Sequence, residues 1–495
     1  MQDFAKMVKA YPFDEGGHQE VYAKIIVPDF ILVDDDKVSE KPNDTRIERN
    51  IDENEHVDLQ ITLINKTMHE LDMHVFNEEN PNIIARYSDI KVKYKPYFYE
   101  FFTQMKRKDI CDLIRKTGAW YTCRFADQSE QSAVTGEISF KGDIFFSASP
   151  FQRSVKTLII IDTDVPDCIK KDTYHTYCTK SAVINKKICT CGGCRYCEMI
   201  NILIYKTYVN NYSIRVYNVG QGNCVYIHGH PSPPYRGANP PRILFDIGYS
   251  TQFGSEVLKS PYYDRMRRHV FNRMKPDVVI LSHWDMDHII GVCLASKRIF
   301  EKPWIAPDIN TLTDGEKSFG ACRLARYLHS KGKLFLIGDS FLDKQVFDGK
   351  SFELWRGNGR NLKLNRKNNS GLIIVLKSRT HALLPGDCEY NALPKCINLD
   401  NKRYEYMVVP HHGSDMQYPS SPKPKPDYEE HHAVISAGGA YGHPSCANKC
   451  KFLTCEMGYT VTETESVTHS IFIQSLSKPG KIVMYDAGHR AKYRI

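Results

Sequence analysis

The stretch Val278-Val279-Ile280-Leu281-Ser282-His283-Trp284-Asp285-Met286-Asp287-His288-Ile289-Ile290-Gly291 decides how the rest of the chain is read. Val278–Leu281 is short, apolar and β-branched, which reads as a buried strand. The loop leaving it carries two histidines and two aspartates between His283 and His288. Polar groups of that kind beside a buried strand are costly unless they are paired or hold a metal. His283 and Asp285 point one way and Asp287 and His288 another, so each pair is able to serve a separate ion. Imidazole mixed with carboxylate suits Mn²⁺ as well as Zn²⁺.

Working outward, further polar turns follow apolar runs in a fixed order. Upstream stand Asn218-Val219-Gly220-Gln221-Gly222-Asn223 and Leu244-Phe245-Asp246-Ile247-Gly248. Downstream come Asn368-Asn369-Ser370 before the strand-like Leu372–Leu376, then Leu383-Leu384-Pro385-Gly386-Asp387. Val408-Val409-Pro410-His411-His412-Gly413-Ser414 follows, and then Val434-Ile435-Ser436-Ala437-Gly438 and Tyr441-Gly442-His443-Pro444. Between Tyr212 and Leu281 short strands at 214–218, 224–228, 242–246 and 278–281 surround a helix expected over 255–274, an alternation typical of layered α and β structure.

In this order the motifs resemble the metallo-β-lactamase fold, and within it the metal-hydrolase domain of the DNA-uptake competence protein ComEC. The resemblance covers residues 212 to about 450 and implies an αββα sandwich. It implies a shell of His283, Asp285, Asp287, His288, Asp387, His411 and His443 around two divalent ions, zinc or manganese, with Asp387 between them. Asp287, His411 and His412 are the expected reacting groups, and His411 is favoured over His412 as ligand or phosphate contact. Two ions would bring a shared water's pKa toward ~7 and clamp a phosphodiester's oxygens. Asp287 would orient that water and one of the paired histidines protonate the leaving oxygen. Two departures stand out: Asn218 and Asn223 occupy positions where the ComEC branch has acids, and a third histidine ligand is unassigned, since His329 and His381 lie in no recognisable context.

Composition is that of a globular chain: 495 residues, 42% hydrophobic and 25% charged, which excludes collagen-like, mucin-like and disordered classes. Residues 1–210 carry 28 basic against 32 acidic side chains, whereas 211–495 carry 38 against 26, a net of +12. That excess points the C-terminal part toward a polyanion. Arg267 and Arg268 before the metal loop, and Arg360, Lys363, Arg366 and Lys367 before the Gly-Asp turn, are candidate nucleic-acid contacts, with Arg265, Arg273, Lys275 and Arg356 nearby. Each cluster equally suits a solvated face.

Sixteen cysteines with no apolar leader at the N-terminus favour metal ligation or buried thiols over disulfides. Cys191, Cys194 and Cys197 have two-residue spacing, and Cys178 or Cys168 would complete a structural zinc site, with an iron–sulfur cluster or unligated, redox-active thiols as the alternatives. Cys446, Cys450 and Cys455 read as buried apolar cysteines, the first two on a helix. No run approaches the ~18–20 apolar residues of a membrane span, so the expectation is a soluble cytoplasmic protein without membrane contact.

The expected fold class is α+β: a strand-rich mixed N-terminal domain over 1–205, ending in the cysteine knot, and a catalytic sandwich over 212–495. Within the first domain, strands are expected near 21–27, 56–64, 137–148 and 155–161, and a helix over 96–117. That domain is assigned to partner or substrate recognition. The leading functional expectation is a metal-dependent phosphodiesterase or nuclease acting on DNA or RNA. A small-molecule hydrolase acting on a lactone, thioester or cyclic nucleotide, and a metal-binding regulatory module, remain the alternatives.

Overall fold

A computed structural model describes residues 20–26, 56–65, 98–106, 120–126, 134–142, 154–162, 183–185, 193–207, 211–219, 222–230, 241–249, 270–313, 316–359, 366–377, 381–397, 399, 404–416, 418–419, 431–437, 443–464, 469–473 and 482–486. The chain forms two compact units, residues 1–175 with 313–319 and residues 176–312 with 320–495.

Among the described residues the first unit holds six strands: β1 (Glu20–Ile26), β2 (His56–Asn65), β3 (Phe98–Lys106), β4 (Trp120–Ala126), β5 (Val134–Gly142) and β6 (Ser154–Asp162). They close into a barrel in the order β1-β2-β3-β5-β6-β4, with antiparallel neighbours throughout. Closure removes the exposed strand edges that an open sheet would leave. The helix expected over 96–117 is corrected here, because 98–106 is β3, paired with β2 and β5. Phe101, Phe102 and Met105 mimic a helical spacing, but partners far away in the chain claim their backbone.

Among the described residues the second unit contains two sheets. One has the order β22-β21-β8-β9-β10-β11-β12-β13-β7, built from β7 (Val183–Ile184), β8 (Asn211–Val216), β9 (Val225–His230), β10 (Arg242–Phe245), β11 (Val278–Ile280), β12 (Trp304–Pro307), β13 (Leu334–Ile337), β21 (His469–Ile473) and β22 (Ile482–Asp486). The other runs in chain order through β14 (Gln345–Asp348), β15 (Phe352–Arg356), β16 (Leu372–Lys377), β17 (His381–Leu384), β18 (Tyr406–Val408), β19 (His432–Ile435) and β20 (Thr460–Glu463). Pairing is parallel from β10 to β13 and from β17 to β20.

Alternation along β16 shows how the layers form. Leu372, Ile374 and Leu376 face one apolar core together with Val278 and Ile280 of the other sheet, while Ile373 and Val375 face a second core with Tyr390, Phe452 and Leu453. Burial on both faces explains why this strand reads as an unbroken apolar run. The helix α1 (Arg195–Thr207) packs Met199 and Leu203 into the inter-sheet core, and β7 pairs with β13. The boundary expected near residue 205 therefore shifts to 175/176. The helix expected over 255–274 lies almost wholly outside the described residues.

Candidate metal centre

Parallel strands deliver polar residues at their C-terminal ends, and here both sheets do so toward one place. Asp246 follows β10, His283 to His288 follow β11, Asp387 follows β17, and His411 and His412 follow β18. Among the described residues one group offers metal-ligating atoms all within 4.8 Å of one another: Asp287, His288, Asp387 and His412.

The loop after β11 is pinned by backbone contacts. Asn223 N–H donates to the Asp287 carbonyl at 3.3 Å, Ile247 N–H to the His288 carbonyl at 2.9 Å, and Gly248 N–H to the Asn223 carbonyl at 2.7 Å. Trp284, fully buried, donates from Nε1 to the Pro307 carbonyl at 2.8 Å. At Gly248 a Cβ would stand 1.9 Å from the Asp287 carbonyl oxygen, so only glycine allows this approach. Asp287 and His288 open the short helix α2 (Met286–Ile289).

Asp246 is the residue that sequence reasoning missed as a participant. It is wholly buried, has a left-handed φ of 57°, and accepts four hydrogen bonds. The donors are Ser282 N–H at 2.6 Å, Ser282 Oγ at 2.7 Å, Asn223 Nδ2 at 2.8 Å and His288 Nδ1 at 2.8 Å. A carboxylate only accepts, so the proton of His288 sits on Nδ1 and Nε2 is turned to the centre. That Nε2 is buried without a hydrogen-bond partner, 3.1 Å from Asp387 Oδ1. The same geometry explains Asn223: an amide donates to Asp246 where an acid would repel it. The Asp-x-Gly turn after an apolar strand was the signal available in the sequence.

His412 is aimed in the same manner. Its Nδ1 donates to the Ser436 carbonyl at 2.6 Å, leaving Nε2 3.1 Å from Asp287 Oδ2 and 3.7 Å from Asp387 Oδ2. Of the paired histidines, His412 is the one that joins the cluster. His411 instead approaches the His443 ring, with centroids 5.9 Å apart. Both paired histidines have left-handed backbone, φ 45° and 52°, a strained conformation that functional turns commonly store. Burial, with His411 and His412 nearby, pushes the His443 pKa down to about 3.

His283 and Asp285 form a separate half. Nε2 of His283 lies 3.1 Å from Asp285 Oδ2 and 3.8 Å from Asp387 Oδ2, and the other Asp285 oxygen is ion-paired with Lys367. Burial would raise the Asp285 pKa, but the Lys367 ammonium and His283 hold it below the usual carboxylate range. Asp387 and Asp287 are likewise depressed, since the neighbouring histidines outweigh their burial, and His288 and His412 are raised by Asp387 and the other carboxylates despite theirs.

The expected nucleic-acid contacts divide. Arg267, Arg268, Arg360 and Lys363 lie outside the described residues. Arg366 and Lys367, on α3 (Arg366–Asn369), are engaged by acids, Asp339 at 3.0 Å and Asp285 of the metal loop. Arg356 is buried and pairs with Asp339 as well. Arg273 and Lys275 are exposed. Of the cysteine knot, Cys194 and Cys197 are described, with sulfurs 3.7 Å apart, whereas Cys178 and Cys191 are not. Cys446, Cys450 and Cys455 are exposed, which corrects the expectation of buried thiols.

The donor set fits a divalent ion: a buried unpartnered imidazole nitrogen, a second imidazole fixed by a carbonyl, and two carboxylates. Residues 218–323 match the profile of the Metallo-beta-lactamase superfamily. The chain therefore carries a metallo-β-lactamase superfamily domain, and that superfamily suggests a metal-dependent hydrolase. No curated protein matches the sequence. Among solved structures, a Thermotoga maritima protein assigned as a metallo-beta-lactamase is similar at 12% identity over 36% of this chain and 79% of that one, with a TM-score of 0.22. CmlA, a diiron beta-hydroxylase from Streptomyces venezuelae, is similar at 19% identity over 36% of this chain and 29% of that one, with a TM-score of 0.18. Among the described residues no helix is long and apolar enough to cross a membrane.

Proposed function

We propose that this centre hydrolyses phosphodiester bonds of nucleic acid and that the chain is a nuclease of the ComEC-like branch. The observation that carries the reading is the convergence of Asp287, His288, Asp387 and His412 on one point, reached from loops of two sheets. The order of the Asn-Val-Gly-Gln-Gly-Asn, Asp-x-Gly, Gly-Asp and Pro-His-His-Gly-Ser motifs supports the branch. A polyanionic substrate is supported by the net +12 over residues 211–495 and by the exposed Arg273 and Lys275.

A divalent metal bound there, zinc or manganese, supplies a Lewis acid and a water of lowered pKa. The protein's own groups do the rest. Asp287, at the edge of the cluster and partly exposed, accepts the proton of the attacking water and aligns it. His411, whose Nδ1 is buried without a hydrogen-bond partner, donates to the leaving oxygen. Asp246, Ser282 and Asn223 hold His288 in place and take no proton.

The test is cleavage of labelled single- and double-stranded DNA and RNA by metal-stripped protein supplied with Mn²⁺, Zn²⁺ or Mg²⁺. Metal-dependent cutting that Asp387→Asn abolishes is expected, with a loss of at least ~100-fold. Protein that binds metal yet cuts none of these polymers would overturn the nuclease reading in favour of a small ester or lactone substrate.

A further inference from the structure

The two halves of the centre are not equivalent. In the half formed by Asp287, His288, Asp387 and His412, nitrogen lone pairs converge with carboxylates, and His288 Nε2 has no hydrogen-bond partner. Both halves hold one imidazole–carboxylate contact of 3.1 Å, His412 with Asp287 and His283 with Asp285, and what sets the second half apart is a cation already in place. His283 and Asp285 pair with each other at 3.1 Å, and the Lys367 ammonium takes the remaining Asp285 oxygen. Lys367 is mostly buried, with 14% of its side chain exposed, and it comes from α3, just before Asn368-Asn369-Ser370. This is the stretch between the first loop and Asp387, where the third histidine ligand is unassigned.

We propose that the centre holds a single divalent ion, in the Asp287, His288, Asp387 and His412 half, and that Lys367 supplies the fixed positive charge of the other half. This rests on the metal reading of the site. An ammonium in contact with Asp285 neutralises that carboxylate and repels a second cation at the same group, so Lys367 takes the place of an ion there. The arrangement keeps two cationic groups at the centre, an exchangeable ion beside Asp387 and an ammonium fixed on Asp285. An ammonium offers three donors and no coordination preference, so it binds an anionic oxygen as a point charge.

The experiment counts bound Mn²⁺ by electron paramagnetic resonance during titration of the metal-stripped full-length protein. Mn²⁺ is the probe because thiolates such as Cys194 and Cys197 select softer metals. The expected result is one equivalent per chain with the spectrum of an isolated ion. Lys367→Arg keeps the charge and is expected to stay at one. Lys367→His, which exchanges the ammonium for an imidazole donor, is expected to reach two equivalents with the multiline spectrum of a coupled pair. Two equivalents in the wild type, or one in Lys367→His that melts like wild type, would overturn the proposal and leave the nuclease reading standing. No bound Mn²⁺ in the wild type would overturn the metal reading together with it.

Discussion

Asp246 accepts from two side-chain donors, one imidazole and one backbone N–H, without offering an atom to the cluster. Its influence runs through His288, whose free nitrogen faces Asp387. Asp246→Asn retains the shape and replaces one acceptor by a donor, which must confront Ser282, Asn223 or His288. Groups that hold a ligand in this way change metal affinity by about 10–100-fold when lost. That weakening is the expected result for Mn²⁺ binding to Asp246→Asn, and an unchanged affinity in folded protein would contradict the role assigned to Asp246.

The loop between β11 and α2 owes its shape to two other turns, and this shows most clearly at Gly248. A methyl group there meets the carbonyl oxygens of Asp287 and Asn223 at 1.9 and 2.5 Å. Gly248→Ala is expected to lower stability by about 1–3 kcal/mol through overpacking and to displace Asp287. Gly193→Ala serves as the control, since a Cβ there meets nothing within 4 Å. Thermal melting with and without Mn²⁺ checks both, and equal melting temperatures for the two variants would refute the argument. At this scale the sequence was partly legible. Loops that follow apolar strands could be read because an apolar run ending in ligand types is a local pattern. β3 could not, since its partners His56–Asn65 and Val134–Gly142 are distant and its aromatic spacing imitates a helix. His412 could not be chosen over His411, because that choice lies in two left-handed backbone angles. Arg366 and Lys367 looked like polyanion contacts until the fold brought Asp339 and Asp285 to them.

For the whole molecule, the centre couples stability to pH with opposite signs in the metal-free and loaded states. His288 and His412 have raised pKa values, so their contribution is full below the unfolded ~6.5 and is lost as pH rises through the folded values. Asp287 and Asp387 are depressed, so theirs is present above ~3.9 and lost as pH falls through the folded values. Metal-free protein is therefore favoured by this site between about pH 4 and 6.5. Metal binding must displace the histidine protons, so the stabilisation it adds grows as pH rises. Melts from pH 5 to 9 with and without Mn²⁺ are expected to diverge with increasing pH. A metal-induced shift that stays constant across that range would contradict the assignment of His288 and His412.

Ligands drawn from both sheets also set an order of events during synthesis. Asp287 and His412 stand 125 positions apart, and Asp387 lies between them. The ribosome releases the loop after β11 while β17 and β18 are still unmade. The nascent chain then carries Asp287 and His288 with no Asp387 or His412 to finish the donor set. Capture of the ion waits for the second sheet, which makes metal loading a late event and a natural report that translation has passed His412.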